Sequence, residues 1–217
     1  MAGARPDDPP PPASPRSRGQ RKIPRAVREP QMLEMAGRVF AARGFHEASM
    51  DEIAEAAGVS KPMLYSYFGS KDGLYFAYIH AAYRELITAI DEAVATAEPD
   101  PEKQLRRGTL AYYTYVGEHR HAFHVLFREI GDPGGEFASQ RHRLVRRVAA
   151  ALDSIIVPSE ARAWRPVDTE VLAEGWIGAA RMMANWWLDH PEVSAEQMTD
   201  RQLEFLLDGI RAFCEVP

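Results

Sequence analysis

Between Met50 and Leu74 the chain reads MDEIAEAAGVSKPMLYSYFGSKDGL, two short helical patterns joined by one glycine turn and followed by the opening of a longer helix. Met50, Ile53, Ala54 and Ala57 keep the i, i+3, i+4, i+7 spacing of a single buried helix face. Gly58 then interrupts the pattern and can supply the positive φ of a tight turn. Val59 offers an inward apolar plug, and Ser60 is an N-cap for a second helix over Lys61–Phe68. Leu64 and Phe68 lie one turn apart and face inward, which leaves Lys61, Met63, Tyr65, Ser66 and Tyr67 around the outside. A short helix braced on another and tipped with polar and aromatic groups can enter a DNA major groove.

These residues carry a resemblance. Tyr65-Ser66-Tyr67-Phe68, then Gly69-Ser70-Lys71, is similar to the end of helix three and the start of helix four in tetracycline-repressor-type (TetR family) regulators. Upstream, Phe40–Ala54 (FAARGFHEASMDEIA) resembles the close of that family's helix one, its Gly44-Phe45 corner and the hydroxyl residue, Ser49, that opens helix two. The likeness spans roughly Pro30–Leu74. Ser66 stands where the family often has histidine, and Gly73 where it often has an acidic residue, which weakens the capping box of the following helix. The resemblance implies a homodimeric, effector-responsive transcription factor, more often a repressor than an activator. It also implies an effector cavity in the second half of the chain and operator phosphate at the Lys71 corner.

Charge supports a one-ended DNA binder. The chain carries −5 overall. Residues 1–28 hold seven basic and two acidic side chains, a net +5 that leaves −10 for the rest. A basic arm before an acidic body suits a protein that meets phosphate at one end. Residues 1–25 are rich in Pro, Arg, Ser and Gly and cannot bury enough apolar surface to fold, so a disordered basic arm is expected there. It reads equally well as a solubilising tail or as an arm that follows the minor groove, for which Arg21, Lys22 and Arg25 are the best candidates because they lie nearest the first helix.

The remaining pattern is helical throughout. The first helix is predicted over Pro30–Arg43, with Pro30 in its first turn and Leu33, Ala36 and Phe40 inward. Ser49 and Glu52 form an expected capping box for the next. A long helix should run from Ser70-Lys71 to about Ala97, stopped by Glu98-Pro99-Asp100-Pro101. Further helices are predicted over about 102–118, 121–130, 136–156, 167–189 and 195–214. The expected fold is all-α: a three-helix helix-turn-helix DNA-binding domain over 26–70, then a larger helical ligand-binding and dimerisation domain over 71–217. Leu203, Leu207 and Ile210, with Ile177, Ala184 and Leu188, are the stripes expected to pair across a two-fold axis.

Candidate contacts follow from chemistry. For double-stranded DNA, Lys61, Met63, Tyr65 and Ser66 can reach base edges, while Ser49, Ser60, Tyr67 and Lys71 suit phosphate or its approach. For a small effector, Tyr112, Tyr113, Phe123, Phe127, Trp176, Met183 and Trp187 are the expected lining, with Arg181 and Asn185 polar at the rim. Such walls favour a mainly apolar molecule, with Arg181 the one obvious counter-charge. His119, His121 and His124 fall in a polar segment with no cysteine near, so no metal and no cofactor are expected. No apolar run is long enough to span a membrane and no secretory h-region opens the chain. The single cysteine, Cys214, excludes an internal disulfide and fits a cytoplasmic protein. No catalytic motif appears, so an all-α enzyme is the weaker alternative, as is a DNA-binding structural protein without effector.

Overall fold

A computed structural model describes residues 24–120, 123, 135–155 and 166–211. Within them every regular element is helical. Arg21, Lys22, His121, His124, Phe127 and Cys214 lie outside the described residues, as does most of the helix expected over 121–130; Phe123 in it is helical.

The first helix, α1, spans Arg25–Glu47, so it begins a turn earlier than the sequence pattern predicts. Pro24 caps it by accepting from the Val27 and Arg28 amides, and Pro30 therefore falls inside the helix rather than in its first turn. Near its end Gly44 leaves helical geometry at φ 78°, ψ 164°, a left-handed corner that a Cβ would disfavour. Helix α2 covers Met50–Ala56, and α3 covers Lys61–Phe68. The turn between them depends on Gly58 at φ 63°. Only half of the expected capping box forms: the Ser49 hydroxyl accepts from the Glu52 amide at 3.1 Å, but the Glu52 carboxylate pairs with Arg43 at 3.2 Å. Ser60 holds the N-cap position of α3 without a side-chain bond.

Helix α4, Lys71–Ala95, is capped by the Ser70 hydroxyl, which accepts from the Gly73 amide at 2.9 Å. The glycine at 73 has a packing reason, since a Cβ there would stand 2.1 Å from the Phe68 carbonyl oxygen. Helix α5 covers Pro101–Glu118, with Asp100 as N-cap to the Lys103 amide. Helix α6 covers Gly135–Ile155 and α7 covers Pro166–Trp187. Helix α8, Ala195–Gln202, opens with a full capping box between Ser194 and Gln197. It runs on through a wider π-helical turn over Leu203–Asp208, where the sequence pattern predicts one uninterrupted helix.

Three apolar cores result. One joins α1, α2 and α3 to the first half of α4 through Met32, Phe40, Ile53, Leu64, Leu74 and Ile79. A second joins the later part of α4 to α5, α7 and α8 through Leu86, Ile90, Tyr113, Val116 and Trp187. A third binds α5, α6, α7 and the chain's last helical turns through Leu105, Val145, Leu152, Trp176 and Leu207. Complete burial of a leucine such as Leu64 contributes about 2 kcal/mol. Helix α4 belongs to the first two cores at once.

The stripes expected to form a two-fold interface are wholly or partly taken up inside the chain. Leu207, Ala184 and Leu188 are buried inside the chain, and Leu203, Ile210 and Ile177 pack against the third core. Val27, Tyr65 and Phe76 are exposed in the first half of the chain, and Val171, Met182, Trp186 and Phe205 in the second. On α7 these share a face with Gly175 and Gly178, whose missing side chains meet open space. Helical periodicity marks apolar faces, but it does not say whether the partner is in the same chain.

Candidate DNA-reading surface and ligand cavity

Helix α3 leaves open to solvent most of the side expected to meet DNA. Tyr65 is 44% exposed and Lys61 and Ser66 are open to solvent, while Leu64 anchors the helix from below. Lys61 Nζ meets Asp51 Oδ2 of α2 at 2.7 Å, and this hydrogen bond raises the lysine pKa above its ordinary value. The ion pair points the ammonium along the α2–α3 edge, so base contact requires it to leave Asp51. Ser66 Oγ donates to the Met63 carbonyl at 2.7 Å. Met63 is half-buried, and its sulfur accepts from Arg28 at 3.8 Å. Arg28 thus joins this surface although the sequence reading did not single it out.

Two basic residues have structural partners instead of open ends. Arg25 is part of α1 and not of the arm. Its guanidinium lies 4.7 Å from the Tyr67 ring centroid and pairs with Glu29 at 3.0 Å. Lys71 departs most from expectation. Its ammonium donates to the carbonyls of Phe45, His46 and Ala48 at 2.8, 3.1 and 3.1 Å. All three N–H groups are thereby used on the corner between α1 and α2. The expected phosphate contact asks for an open ammonium, whereas here it satisfies carbonyls at the end of α1 that need donors.

A cavity of about 660 Å³ lies between α4, α5, α6 and α7. Tyr83, Leu86, Ile90 and Val94 come from α4; Leu105, Gly108, Thr109 and Tyr112 from α5; Leu144, Val148 and Ala151 from α6; Trp176, Ile177 and Ala180 from α7. Phe123 closes one side. Gly108 matters here, since a Cβ would stand 3.2 Å from Val94 and narrow the space between α4 and α5. Burial pushes the Tyr83 phenol up to about 12, with Arg141 pulling against that shift. Burial likewise holds the Tyr112 phenol well above its ordinary value, and its hydroxyl has no hydrogen-bond partner.

Models of two families match the chain. Residues 32–78 match the bacterial regulatory proteins of the tetR family, and residues 101–209 match the tetracyclin repressor-like C-terminal domain.

The chain belongs to the TetR family.

Among TetR-family relatives, the transcriptional activator FasR of Mycolicibacterium smegmatis is 32% identical over 193 residues, covering 76% of this chain and 86% of its own. The regulator EthR of the same organism is 31% identical over 49% of each chain. A solved TetR-like transcriptional regulator from Rhodococcus sp. RHA1 superposes with a TM-score of 0.72 at 36% identity, covering 87% of this chain and 98% of that one. Regulators of this family bind operator DNA.

Of the residues expected around a TetR-family effector, Tyr112, Phe123, Trp176 and Arg181 do line the cavity. Tyr113 does not: its hydroxyl donates to Gln202 Oε1 at 2.7 Å, and Gln202 in turn donates to the Trp176 carbonyl at 3.2 Å. Trp187 is also turned away, its indole N–H donating to the Val193 carbonyl at 2.7 Å. Met183 packs in the second core and Asn185 is exposed. Adjacent aromatics on a helix point about 100° apart, so Tyr112 and Tyr113, or Trp186 and Trp187, cannot share one wall. Arg141 and Arg147 of α6, which the sequence reading did not single out, line the cavity beside Arg181. The single counter-charge expected from sequence thus becomes three. Their long side chains reach over the helix edge, a reach that periodicity does not report.

No group of three His, Cys, Asp or Glu that could hold a metal occurs among the described residues, and His119 stacks on Tyr115 at 4.0 Å. No described helix is long and apolar enough to cross a membrane.

Proposed function

We propose that this TetR-family protein is an effector-responsive transcriptional regulator that works as a homodimer in the cytoplasm and has no enzymatic role. The observation that carries the reading is the double membership of α4. One half of it braces the helix-turn-helix and the other walls a 660 Å³ cavity. Effector that favours a different seating of Leu86 and Ile90 biases the orientation of α3 through Leu74 and Ile79. By linkage, operator DNA weakens effector binding by the same factor.

Lys61, Met63, Tyr65 and Ser66 read bases, while Ser49, Ser60 and Tyr67 approach phosphate. Arg25 steadies Tyr67, and the basic arm with Arg21 and Lys22 adds salt-dependent affinity. The effector has a mainly apolar body, matched to the aliphatic and aromatic walls. Solved structures of the same fold include FadR from Bacillus subtilis in complex with stearoyl-CoA and AibR with isovaleryl coenzyme A and operator DNA. Effectors with apolar chains are therefore within the reach of this architecture. The dimer forms through the open face Val171, Met182, Trp186 and Phe205, with Gly175 and Gly178 allowing close helix approach.

Repression is the favoured sign. FasR carries the name of an activator, so activation is the second reading. The test is selection of bound fragments from the protein's own genomic DNA, footprinting of the winner, and a reporter placed behind it. A near-palindromic site with half-sites about one helical turn apart is expected. Absence of any preferred fragment would overturn the DNA-binding reading, and the reporter's direction decides repressor or activator.

A further inference from the structure

The cavity is apolar but its charged lining is one-sided. Arg141, Arg147 and Arg181 line it, and no aspartate or glutamate does among the described residues. The carboxylates that neutralise two of these arginines lie outside the lining. Arg141 pairs with Glu174 of α7, and Arg147 pairs with Asp91 of α4. Both pairs are roughly half exposed, Arg147 and Asp91 at 43% and 49%. Exposed ion pairs are weak and exchange partners readily. A guanidinium that faces both a carboxylate and a cavity can trade one anion for another, and it recognises a carboxylate or phosphate by two parallel N–H donors.

We infer that the effector is an amphipathic anion whose charged head takes Arg147 from Asp91, so that binding breaks a tie between α6 and α4. This rests on the effector reading above and adds the chemical class of the ligand and the residue pair that transmits it. The apolar part lies against Leu86, Ile90, Val148 and Trp176, and the head sits at the arginines. A neutral molecule of the same shape fills the walls without competing for Arg147. Asp91 is three residues before Val94 and one after Ile90, on the later half of α4. Its release frees that half from α6 while the first half stays packed in the helix-turn-helix core.

The test uses the full-length protein with sodium dodecanoate, dodecanoyl-CoA, dodecanol and coenzyme A as probes. Binding is read from tryptophan fluorescence and release from a fluorescent operator fragment. Dodecanoate or dodecanoyl-CoA is expected to bind at least about tenfold tighter than dodecanol, the size of effect that one matched charge pair supplies. Tight binding of dodecanoate assigns the head to a carboxylate. Binding of dodecanoyl-CoA alone assigns it to the nucleotide phosphates. Arg147→Gln should remove the preference for the anion over dodecanol, whereas Arg143→Gln, exposed on the same helix outside the cavity, should keep it. Asp91→Asn should bind the anion roughly threefold or more tighter, because the competitor for Arg147 is gone, and should hold operator more weakly without any probe. Equal affinity for dodecanoate, dodecanoyl-CoA and dodecanol overturns the anion inference. If dodecanol then releases operator, the effector reading survives that failure. An Asp91→Asn variant unchanged in both affinities overturns the exchange. If no probe binds while the operator still does, the ligand class and the cavity fall together and the DNA-binding reading stands.

Discussion

The Lys71 ammonium lies 4.6 Å from the Phe45 ring centroid and donates to the Phe45 carbonyl at 2.8 Å. One lysine at the start of α4 thereby ties down the glycine corner at the end of α1. Charge-assisted bonds to otherwise unpaired carbonyls are among the stronger local contacts. Lys71→Ala is expected to lower the stability of the free protein by about 1–2 kcal/mol. Thermal unfolding without DNA measures this. Unchanged stability with weakened DNA binding would return Lys71 to phosphate contact.

Tyr78 and Gly37 make the corresponding lock between α4 and α1. A Cβ at Gly37 would stand 2.2 Å from the Tyr78 ring, so Gly37→Ala should destabilise the protein by about 1–3 kcal/mol and weaken operator binding. The Tyr78 hydroxyl is buried with no partner. Tyr78→Phe removes that unsatisfied group and should raise stability by up to about 1 kcal/mol. Denaturant midpoints of the two variants check the opposite signs.

Lys61→Ala removes both the Asp51 ion pair and the candidate base contact. It is expected to reduce operator affinity about tenfold and relax preference at one base position. Tyr67→Phe should weaken all operator variants evenly. Competition against single-base operator variants separates the two; a uniform loss for Lys61→Ala would move it off the base edges.

Dimer formation should depend on the open face and not on the stripe inside the chain. Phe205 is 73% exposed and Met182 63%, while Leu207 is 1% exposed. Phe205→Glu combined with Met182→Glu should give a folded monomer by light scattering. Leu207→Glu should instead unfold the regulatory half, since an unpaired charge in a core costs several kcal/mol, on the order of 3–5. A double variant that stays dimeric at micromolar concentration would place the interface elsewhere.

Alkaline pH should unfold the protein in a window set by its tyrosines. Burial raises the phenols of Tyr78, Tyr83, Tyr112, Tyr113 and Tyr115 above the ordinary value of 10, Tyr83 to about 12. A group that stays protonated longer in the folded state binds more protons there than in the unfolded chain. Its stabilisation is complete below pH 10 and is lost as pH rises through the folded values, from about 12 upward. Phenolate absorbance should therefore appear together with unfolding rather than before it. Full titration of all tyrosines in a still-folded protein near pH 10 would contradict the burial.

Local pattern alone settled α2, α3 and their turn, because Met50, Ile53, Ala54 and Leu64 bury in the register that their spacing sets and Gly58 takes the positive φ the turn requires. Stop signals were equally legible: Asp100 and Pro101 open α5 where the proline-acid run predicts a break. Periodicity fixes which face of a helix is apolar, and neighbouring residues alone make a cap. Neither says which other helix meets that face. Tyr113 and Trp187 were therefore assigned to a cavity, although Gln202 and Val193, distant or across a turn, claim their polar ends. Arg141 and Arg147 line the cavity only because α6 packs beside α4 and α7. Lys71 was expected at operator phosphate, but the end of α1 places three carbonyls around its ammonium. The sequence by itself determined that the chain is helical and set the α2–turn–α3 unit with its glycine turn, features that rest on contacts within a few residues. The tertiary structure decided the cavity, its three arginines and the open apolar face, because each depends on which helices pack together at long range.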